Sequence, residues 1–510
     1  MLSKVNSACV VGLSAYAVDV EVDVSNGLPS FAIVGLPDTS IRESRERIRS
    51  AIKNSGYTFP QGKITVNLSP ANIKKEGAGF DLPIAIGILS ATGVINEEDL
   101  EGSLFCGELS LNGKLKSFRG ALPIALALKE KFKSFILPKH NAPEAANVKK
   151  LTVYGAASLA KVVEHFKGIK PLNPVKIEQK DVNTTELQGN LDFKDVKGQE
   201  HVKRGLEVAA SGGHNILLLG PPGSGKSMLA QRFTTILPDL LPDEALEVTN
   251  IYSVAGQLKS HDLITKRPVR SPHHTISYAA MAGGGSYPLP GEISLAHNGV
   301  LFLDEFPEYR RDVLEALRQP LEAGEITVTR TQRSTRFPSR FILIAAMNPC
   351  PCGYFTDPHK NCQCSPHQIQ KYLSKLSGPL LDRIDIHIEV PRLDYDQLSR
   401  KRTGEESSVI KERVIRNRNI QKERFKDRTS SLAYNAYMAS KEIENYCILS
   451  KESEELLKTA ILELGISARA YDKILKISRT IADMEGSERI ESHHISEAIG
   501  YRCLDRNLWV

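Results

Sequence analysis

The sequence lacks several features that mark membrane and secreted proteins. No apolar run reaches about 18 residues without a charge, so no segment is predicted to cross a membrane. The first residues, MLSKVNSACVVGLSAYAVDVEVDV, carry one lysine and a short apolar patch, then become acidic and alternating. That pattern indicates a strand and not a signal peptide. These absences predict a cytoplasmic protein without a membrane partner.

Cysteine is too scarce for a disulfide framework. Eight cysteines in 510 residues, with no export signal, favour a reducing compartment. Four of the eight nevertheless lie between residues 350 and 364, which is not a random scatter. This cluster therefore needs a separate explanation.

The remaining composition is that of a globular protein, with 41% hydrophobic and 25% charged residues. The length predicts about two to four domains. The net charge of +6 permits a nucleic-acid partner without requiring one, and a solvated surface with a slight excess of lysine and arginine explains it equally well.

The pattern of apolar residues divides the chain into four segments. Residues 1–167 combine alternating runs such as AVDVEVDV with two helical stretches, DTSIRESRERIRSAIKNSG and DLPIAIGILSATG, which predicts an α+β domain. Residues 168–190 are polar, carry two prolines and read as a linker. Residues 191–392 alternate continuous apolar runs with helices, which predicts a parallel sheet covered on both faces. Residues 393–510 have almost no strand signal and predict a small helical domain.

A glycine-rich stretch in the third segment predicts a phosphate site. GPPGSGKS fits G-x-x-x-x-G-K-[ST], with an apolar strand before it and a helix after it. Small residues let backbone N–H groups close around phosphates, while the lysine and serine side chains reach the terminal phosphate and Mg²⁺. A glycine-rich turn without a ligand is the alternative. The nucleotide-binding residues predicted here are Gly220, Pro221, Pro222, Gly223, Ser224, Gly225, Lys226 and Ser227.

Two carboxylates close another buried strand, VLFLDEF. Asp304 can orient Mg²⁺ through its water shell, and Glu305 beside it can polarise an attacking water. Adjacent carboxylates at the end of an apolar strand are costly unless a cation shares the site. The alternative is a strand end that simply reaches solvent.

Three further polar residues indicate a function only when they are considered together with the residues above. Asn348 ends the run ILIAAMN and can position the same water. Arg383, in GPLLDRIDIHIEV, is either part of a surface ion pair or an arginine finger inserted into the next subunit's ATP site. Arg469 begins a helix in the last segment, from which it can contact the γ-phosphate.

Together these stretches resemble the AAA+ ATPases of the magnesium-chelatase-like branch, and specifically the YifB/ComM family. The resemblance rests on NILLLGPPGSGKSMLA, RSPHHTIS, GEISLAHNGVLFLDEFPE, AAMNPCPCGYF, SGPLLDRIDIHIEVP and SARAYDKILKISRTIAD. It implies ATP and Mg²⁺ as cofactors and a hexameric ring, because a finger acts on a neighbouring subunit. The roles that it implies are Walker A for Lys226 and Ser227, Walker B for Asp304 and Glu305, sensor 1 for Asn348, finger for Arg383 and sensor 2 for Arg469.

An arginine-rich insertion precedes the Asn348 strand. In GEITVTRTQRSTRFPSRF, Ile326 and Val328 alternate with polar residues before a polar turn, which predicts a β-hairpin. In this AAA+ branch such elements resemble pore loops that grip DNA, and guanidinium groups suit phosphate tracking without sequence readout. A solvated hairpin without a ligand is the alternative. The cations on this hairpin are Arg330, Arg333, Arg336 and Arg340.

The clustered cysteines form two C-x-C pairs separated by nine residues. Four thiols on one loop can enclose a tetrahedral Zn²⁺. The spacing departs from the usual C-x₂-C pattern, so a redox-sensitive pair or four plain thiols that cap a loop remain alternatives. The predicted metal ligands are Cys350, Cys352, Cys362 and Cys364.

The first segment resembles the proteolytic domain of Lon, but without its catalytic residues. Gly79 stands where Lon has its nucleophilic serine and Leu122 where it has its lysine, and neither can do that chemistry. The resemblances together imply a three-layer α/β P-loop domain. They also imply an inactive N-terminal α+β domain of the Lon-protease-like (ribosomal-protein-S5-domain-2-like) class and a C-terminal helical lid.

Three functions are compatible with these features. The favoured hypothesis is an ATP-driven homohexameric motor that acts on single-stranded or branched DNA, of the helicase or branch-migration type, in competence or recombination. A chelatase-like or protein-remodelling ATPase is the alternative. An ATP-dependent protease is disfavoured by Gly79 and Leu122.

Overall fold

The computed structural model forms two compact units. It describes residues 1–75, 77–176, 191–258, 262–285, 288–330, 333–355, 357, 359–394, 404–426, 434–464 and 467–502. The first unit consists of Met1–Val182 with Pro242–Ile264, and the second of Asn183–Leu241 with Thr265–Val510. Pro242–Ile264, which the sequence analysis assigned to the ATPase segment, thus belongs to the first compact unit.

The first unit is built on a mixed sheet, in which the described residues form seven strands in the order β3-β4-β2-β1-β5-β8-β9. The β1–β2 and β2–β4 pairs are antiparallel, and the other pairs are parallel. The strands are β1 Leu2–Val11, β2 Ser14–Ser25, β3 Ser30–Val34, β4 Lys63–Ser69, β5 Ser103–Phe105, β6 Glu108–Leu109, β7 Leu115–Lys116, β8 Ser134–Pro138 and β9 Thr152–Ala156, of which β6 and β7 form a separate ribbon.

Both helices predicted for this unit are confirmed. Helix Thr39–Asn54 begins at Asp38, whose side chain accepts the Ile41 N–H at 2.9 Å, and its apolar stripe is fully buried. Helix Asp81–Ala91 is buried on all sides, as its almost entirely apolar sequence requires. The other helices are Ala121–Leu128, Ala142–Ala146, Leu159–Phe166 and Pro242–Ala255, with short 3₁₀ turns at Ala78–Phe80 and Glu98–Leu100.

The second unit contains the predicted parallel sheet. Five of its strands pair in the order β11-β14-β17-β10-β18, and every pairing is parallel. All residues of β10, β14 and β17 are buried, which explains their continuous apolar sequences. The strands of this unit are β10 Ile216–Leu219, β11 Val269–Arg270, β12 Gly283–Gly284, β13 Leu289–Pro290, β14 Val300–Leu303, β15 Glu325–Arg330, β16 Arg333–Pro338, β17 Ile342–Met347 and β18 Ile386–Glu389.

Helices cover this sheet and continue to the end of the described chain. The C-terminal helices share one buried apolar core with the sheet, since Ile474 and Ile481 cluster with Ile216 and Ile344. A separate helical lid therefore stays a prediction. The helices are Glu200–Gly212, Lys226–Phe233, Tyr278–Ala282, Glu292–Leu295, Arg311–Glu315, Arg318–Ala323, Pro366–Leu373, Gly378–Leu381, Ser407–Arg424, Ser440–Tyr446, Lys451–Leu464, Ala468–Glu485 and Ser492–Gly500, with 3₁₀ turns at Phe193–Asp195, Thr234–Ile236, Phe306–Glu308 and Asn435–Tyr437.

Among the helices of the described residues, none combines the length and the apolar character needed to cross a bilayer.

A buried ion pair joins the sheet to the C-terminal helices. The Asp385 carboxylate precedes β18 and lies 2.7 Å from the Lys473 Nζ and 3.8 Å from the His214 Nδ1. It also accepts the backbone N–H of Asn215 at 2.9 Å. Burial alone would raise the pKa of Asp385, but the Lys473 ammonium and the contact with His214 outweigh burial and hold this pKa well below its usual range. The pair fixes the strand that follows Arg383 to the helix that carries Arg469.

Removing the cation of this pair should destabilise the second unit. Lys473→Met leaves a buried carboxylate without its counter-charge, so we expect the free energy of unfolding in urea at pH 7 to fall by about 3 kcal/mol. Because the native pKa of Asp385 is depressed, the pair stabilises the fold above the unfolded pKa and loses this effect as pH falls. The difference from the native chain should therefore shrink below about pH 4.

The matched control is Lys458→Met, which removes an exposed lysine from helix Lys451–Leu464. It should leave the unfolding curve within about 0.5 kcal/mol of the native one. Adding Asp385→Asn to the Lys473→Met chain should restore part of the loss, because the buried charge is then gone. Equal stability of the Lys473→Met and Lys458→Met chains would contradict the account.

Candidate functional site

The polar residues that follow three adjacent parallel strands lie at one edge of the sheet. β10 pairs with β17, and β17 pairs with β14. Because the carboxyl ends of parallel strands meet at the same edge, the residues that follow them converge there. The glycine-rich loop follows β10, the two carboxylates follow β14 and Asn348 follows β17.

The glycine-rich loop, residues 220–225, has the backbone of a phosphate loop. Gly223 and Gly225 have φ values of +77° and +91°, a region that favours glycine. At Gly220 a Cβ atom would lie 2.2 Å from the Val390 carbonyl oxygen, so a side chain there is excluded. Helix Lys226–Phe233 begins directly after the loop, and its free N–H groups provide a site for an anion.

Lys226 connects this loop to the neighbouring strand. Its Nζ donates to the carbonyl oxygens of Gly220 at 2.7 Å and Pro221 at 2.9 Å, and to the Asn348 Oδ1 at 3.1 Å. Burial lowers the pKa of Lys226 to about 8, and the negative charge of Asp304 opposes that shift in part. The predicted Walker A lysine and sensor 1 asparagine are therefore in direct contact.

A hydroxyl and a carboxylate meet beside this lysine. The Ser227 Oγ donates to the Asp304 Oδ2 at 2.7 Å, and the other oxygen of Asp304 accepts the Glu305 N–H at 2.9 Å. Oxygen ligands of this kind are the ones that Mg²⁺ takes in nucleotide sites, usually with several waters retained. The pair fits a magnesium ion held next to a bound phosphate.

Glu305 occupies a strained position at the edge of the site. Its φ of +52° lies in the left-handed region, which is uncommon for a residue other than glycine and recurs at functional sites. Its side chain is 58% exposed, and Oε2 lies 3.1 Å from the His274 Nδ1. The carboxylate is thus accessible to a water while it has one partner in the protein.

His274 is a site residue that the sequence analysis did not assign. Its only signal was the stretch RSPHHTIS, which carried the family resemblance without a role for either histidine. The rings of His273 and His274 lie 4.1 Å apart, and the Tyr309 hydroxyl donates to the Pro272 carbonyl oxygen at 2.6 Å. The latter bond ties this segment to the turn that follows Glu305.

The two predicted arginines of the site, Arg383 and Arg469, line one common pocket of about 530 Å³. Arg383 forms an ion pair with Glu322 and donates to the Pro379 carbonyl oxygen. Arg469 lies 3.8 Å from the Asp382 carboxylate. None of residues 220–227 is among the described residues that line this pocket. The structure thus brings the arginines to each other, in a pocket separate from the phosphate loop.

The predicted hairpin is confirmed, whereas its cationic tip is not tested. β15 and β16 pair antiparallel, and Ile326 and Val328 are buried on one face. The Arg336 side chain is exposed and lies 3.5 Å from the Glu325 carboxylate, a surface pair of little strength. The side chains of Arg330 and Arg333 lie outside the described part of the chain.

The four clustered cysteines converge as the metal prediction requires. The Cys350 Sγ lies 3.3 Å from that of Cys352 and 3.6 Å from that of Cys362, and all four sulfur atoms lie within 4.8 Å of one another. Burial raises the pKa of Cys352, but the backbone N–H groups of Tyr354 and Gln363 outweigh burial and lower it to about 6.

Family comparisons agree with this geometry along most of the chain. Residues 192–398 match the family described as magnesium chelatase, subunit ChlI, residues 20–141 match subunit ChlI of Mg-chelatase, and residues 404–502 match the ChlI C-terminal family. Competence protein ComM of Haemophilus influenzae is 46% identical over 511 residues, which cover 99% of this chain and 98% of that protein. The chain belongs to the magnesium-chelatase-like YifB/ComM family.

Another member of this family and a more distant relative extend the comparison. Protein YifB of Escherichia coli is 44% identical over 508 residues, which cover 99% of this chain and 98% of that protein. DNA replication licensing factor Mcm6 of Drosophila melanogaster is 23% identical over 342 residues, or 62% of this chain and 37% of that protein. The mixed α/β architecture with its parallel sheet is consistent with a P-loop AAA+ fold.

Proposed function

We propose that the chain is an ATP-driven AAA+ motor that assembles as a homohexamer and acts on single-stranded or branched DNA. The observation that carries the proposal is the convergence of the phosphate loop with the termini of β14 and β17. Lys226 donates to Asn348, and Ser227 donates to Asp304, so the residues expected to bind a triphosphate and its metal are already assembled. Membership of the magnesium-chelatase-like family supports ATP and Mg²⁺ as the ligands.

Each residue of this group has a distinct task in the proposed hydrolysis. Residues 220–227 bind the phosphates, and Lys226 neutralises charge that develops on the transferred group. Ser227 and Asp304 would hold Mg²⁺, which would neutralise charge at the phosphate oxygens. Glu305 orients and polarises the attacking water. Asn348 fixes the position of that water through its side-chain amide.

We assign Arg383 and Arg469 to the ATP site of a neighbouring copy. They share a pocket that does not contain the phosphate loop of their own chain, and Glu322 neutralises Arg383 there. A triphosphate from a second copy, placed in that pocket, would compete with Glu322 for Arg383. The ring that follows from this arrangement makes each reaction centre depend on two chains.

DNA is the substrate that the arginine-rich hairpin favours. Arg330, Arg333 and Arg336 lie on its two strands, and Arg336 is exposed. Phosphate contacts from such residues suit a motor that moves along DNA without reading sequence. The printed names of two relatives, a competence protein and a DNA replication licensing factor, agree with this choice.

A chelatase-like or protein-remodelling ATPase is the second candidate, because the matching families are described as magnesium chelatase subunit ChlI. It would use the same nucleotide residues without a DNA partner. Proteolysis has no support, since Leu122 is fully buried and carries no amine that could activate a nucleophile.

ATP hydrolysis in the presence and absence of DNA tests the proposal and separates it from the second candidate. We expect turnover by the purified full chain to rise with single-stranded or forked DNA. Lys226→Ala should lower turnover about 100-fold or more, because the charge on the transferred group is no longer neutralised. Lys458→Ala, at an exposed helical position, is the matched control and should keep full activity. Turnover that no DNA changes would favour the chelatase-like function.

Mixing two inactive variants tests the shared reaction centre. Lys226→Ala and Arg383→Ala should each abolish most turnover, but in a ring assembled from equal amounts of both, about a quarter of the interfaces combine an intact loop with an intact arginine. Mixing should therefore restore activity. If fluorescence energy transfer shows that the variants co-assemble and activity does not return, Arg383 does not act on a neighbouring copy.

A further inference from the structure

We propose that Cys350, Cys352, Cys362 and Cys364 bind one structural Zn²⁺, and that this ion holds Asn348 in position against the phosphate loop. The metal site itself does not depend on the proposed function. Its consequence for hydrolysis does, because that consequence rests on Asn348 acting at a bound triphosphate.

The arrangement of the sulfur atoms fits one tetrahedral ion. At Zn–S distances of about 2.3 Å, the sulfur atoms of a tetrahedral site are about 3.8 Å apart. Here three of the Sγ–Sγ distances are 3.3, 3.6 and 3.6 Å, and the fourth sulfur lies within 4.8 Å of the others. Four thiolate ligands in this geometry favour zinc over harder cations. Two sequence pairs nine residues apart have thus been folded onto one centre.

Backbone N–H groups around the sulfur atoms complete the site. Gly353 donates to the Cys350 Sγ at 3.2 Å, and Cys364 donates to the Cys362 Sγ at 3.4 Å. Such bonds stabilise thiolates and orient them, as second-shell contacts do in metal sites. The backbone in and next to each C-x-C pair therefore supplies donors that support the ligands.

The residue that follows the first pair of cysteines packs on the candidate ATP site. Asn348 lies two positions before Cys350, and Gly353 follows Cys352 with a φ of +86°. A Cβ atom at Gly353 would lie 2.5 Å from the Pro222 Cδ and 3.7 Å from the Asn348 Cγ. The backbone of the metal-binding loop therefore contacts the phosphate loop and the side chain of Asn348 at the same point.

The helix that follows the second pair lies near the same asparagine. Cys364 is followed by Ser365, which caps helix Pro366–Leu373 through a capping box. Burial raises the pKa of Tyr372 on this helix, and the Asn348 backbone beside its hydroxyl opposes that shift in part. A metal ion that joins the two pairs thus closes a ring of contacts around Asn348, and its loss would release both sides of that ring.

Metal analysis of the full chain, purified without chelator under reducing conditions, tests the site. We expect about one Zn²⁺ per chain by elemental mass spectrometry, and less than a tenth of that in the Cys362→Ser/Cys364→Ser double variant. Cys364→His, which preserves a zinc ligand, should retain most of the metal. Cobalt substitution should give the visible spectrum of a tetrahedral thiolate complex. Substoichiometric zinc in the native chain, or iron in its place, would overturn the proposal.

Hydrogen exchange of the same proteins tests the clamp without any use of activity. Removal of zinc should raise deuterium uptake in residues 348–355 by several-fold, and should leave helix Thr39–Asn54 of the first unit unchanged. Unchanged uptake in residues 348–355 after zinc loss would overturn the clamp. A zinc-loaded chain that passes both tests and does not hydrolyse ATP would refute the proposed function and leave the metal site standing.

Discussion

The parallel pairing of β10, β14 and β17 is the constraint on which the candidate site depends. It places the phosphate loop, Asp304 and Asn348 at one sheet edge, although more than a hundred residues of sequence separate the phosphate loop from Asn348. Parallel strands of this kind are buried on both faces of the sheet, which requires apolar sequences. The same parallel pairing brings the residues of the site together. Because their strands are neighbours, the Lys226 side chain can form a hydrogen bond directly with Asn348. A polar residue in the interior of any of these strands would disturb the chemistry as well as the fold.

Local patterns were enough to predict much of this. The phosphate loop is recognisable from eight consecutive residues. Its glycines occupy positions where the backbone is left-handed. The N-cap and the buried apolar stripe of helix Thr39–Asn54 can both be predicted from the sequence of the helix itself. The buried strands β10, β14 and β17 can be recognised in the sequence because no polar residue interrupts them. In each case the information that decides the structure lies within a few residues of the element itself.

Long-range relations were not accessible in the same way. Helix Pro242–Ala255 packs in the first unit although its neighbours in sequence belong to the second, and nothing in its composition reveals that choice. The contact between His274 and Glu305 and the common pocket of Arg383 and Arg469 depend on how distant segments return to one place. The cysteine spacing suggested a metal but could not tell that Gly353 would contact Pro222. Sequence thus identified the chemical groups, and the fold determined which of them meet.

The proposed hydrolysis requires that a nucleotide bind at the edge where these strands end. A cryo-electron-microscopy structure of the chain with Mg²⁺ and a non-hydrolysable ATP analogue tests it most directly. We expect the terminal phosphate between Lys226 and Asn348, the ion beside Ser227 and Asp304, and Arg383 of an adjacent copy within reach of the phosphate. A nucleotide bound elsewhere, or a site whose arginine comes from its own chain, would contradict the account.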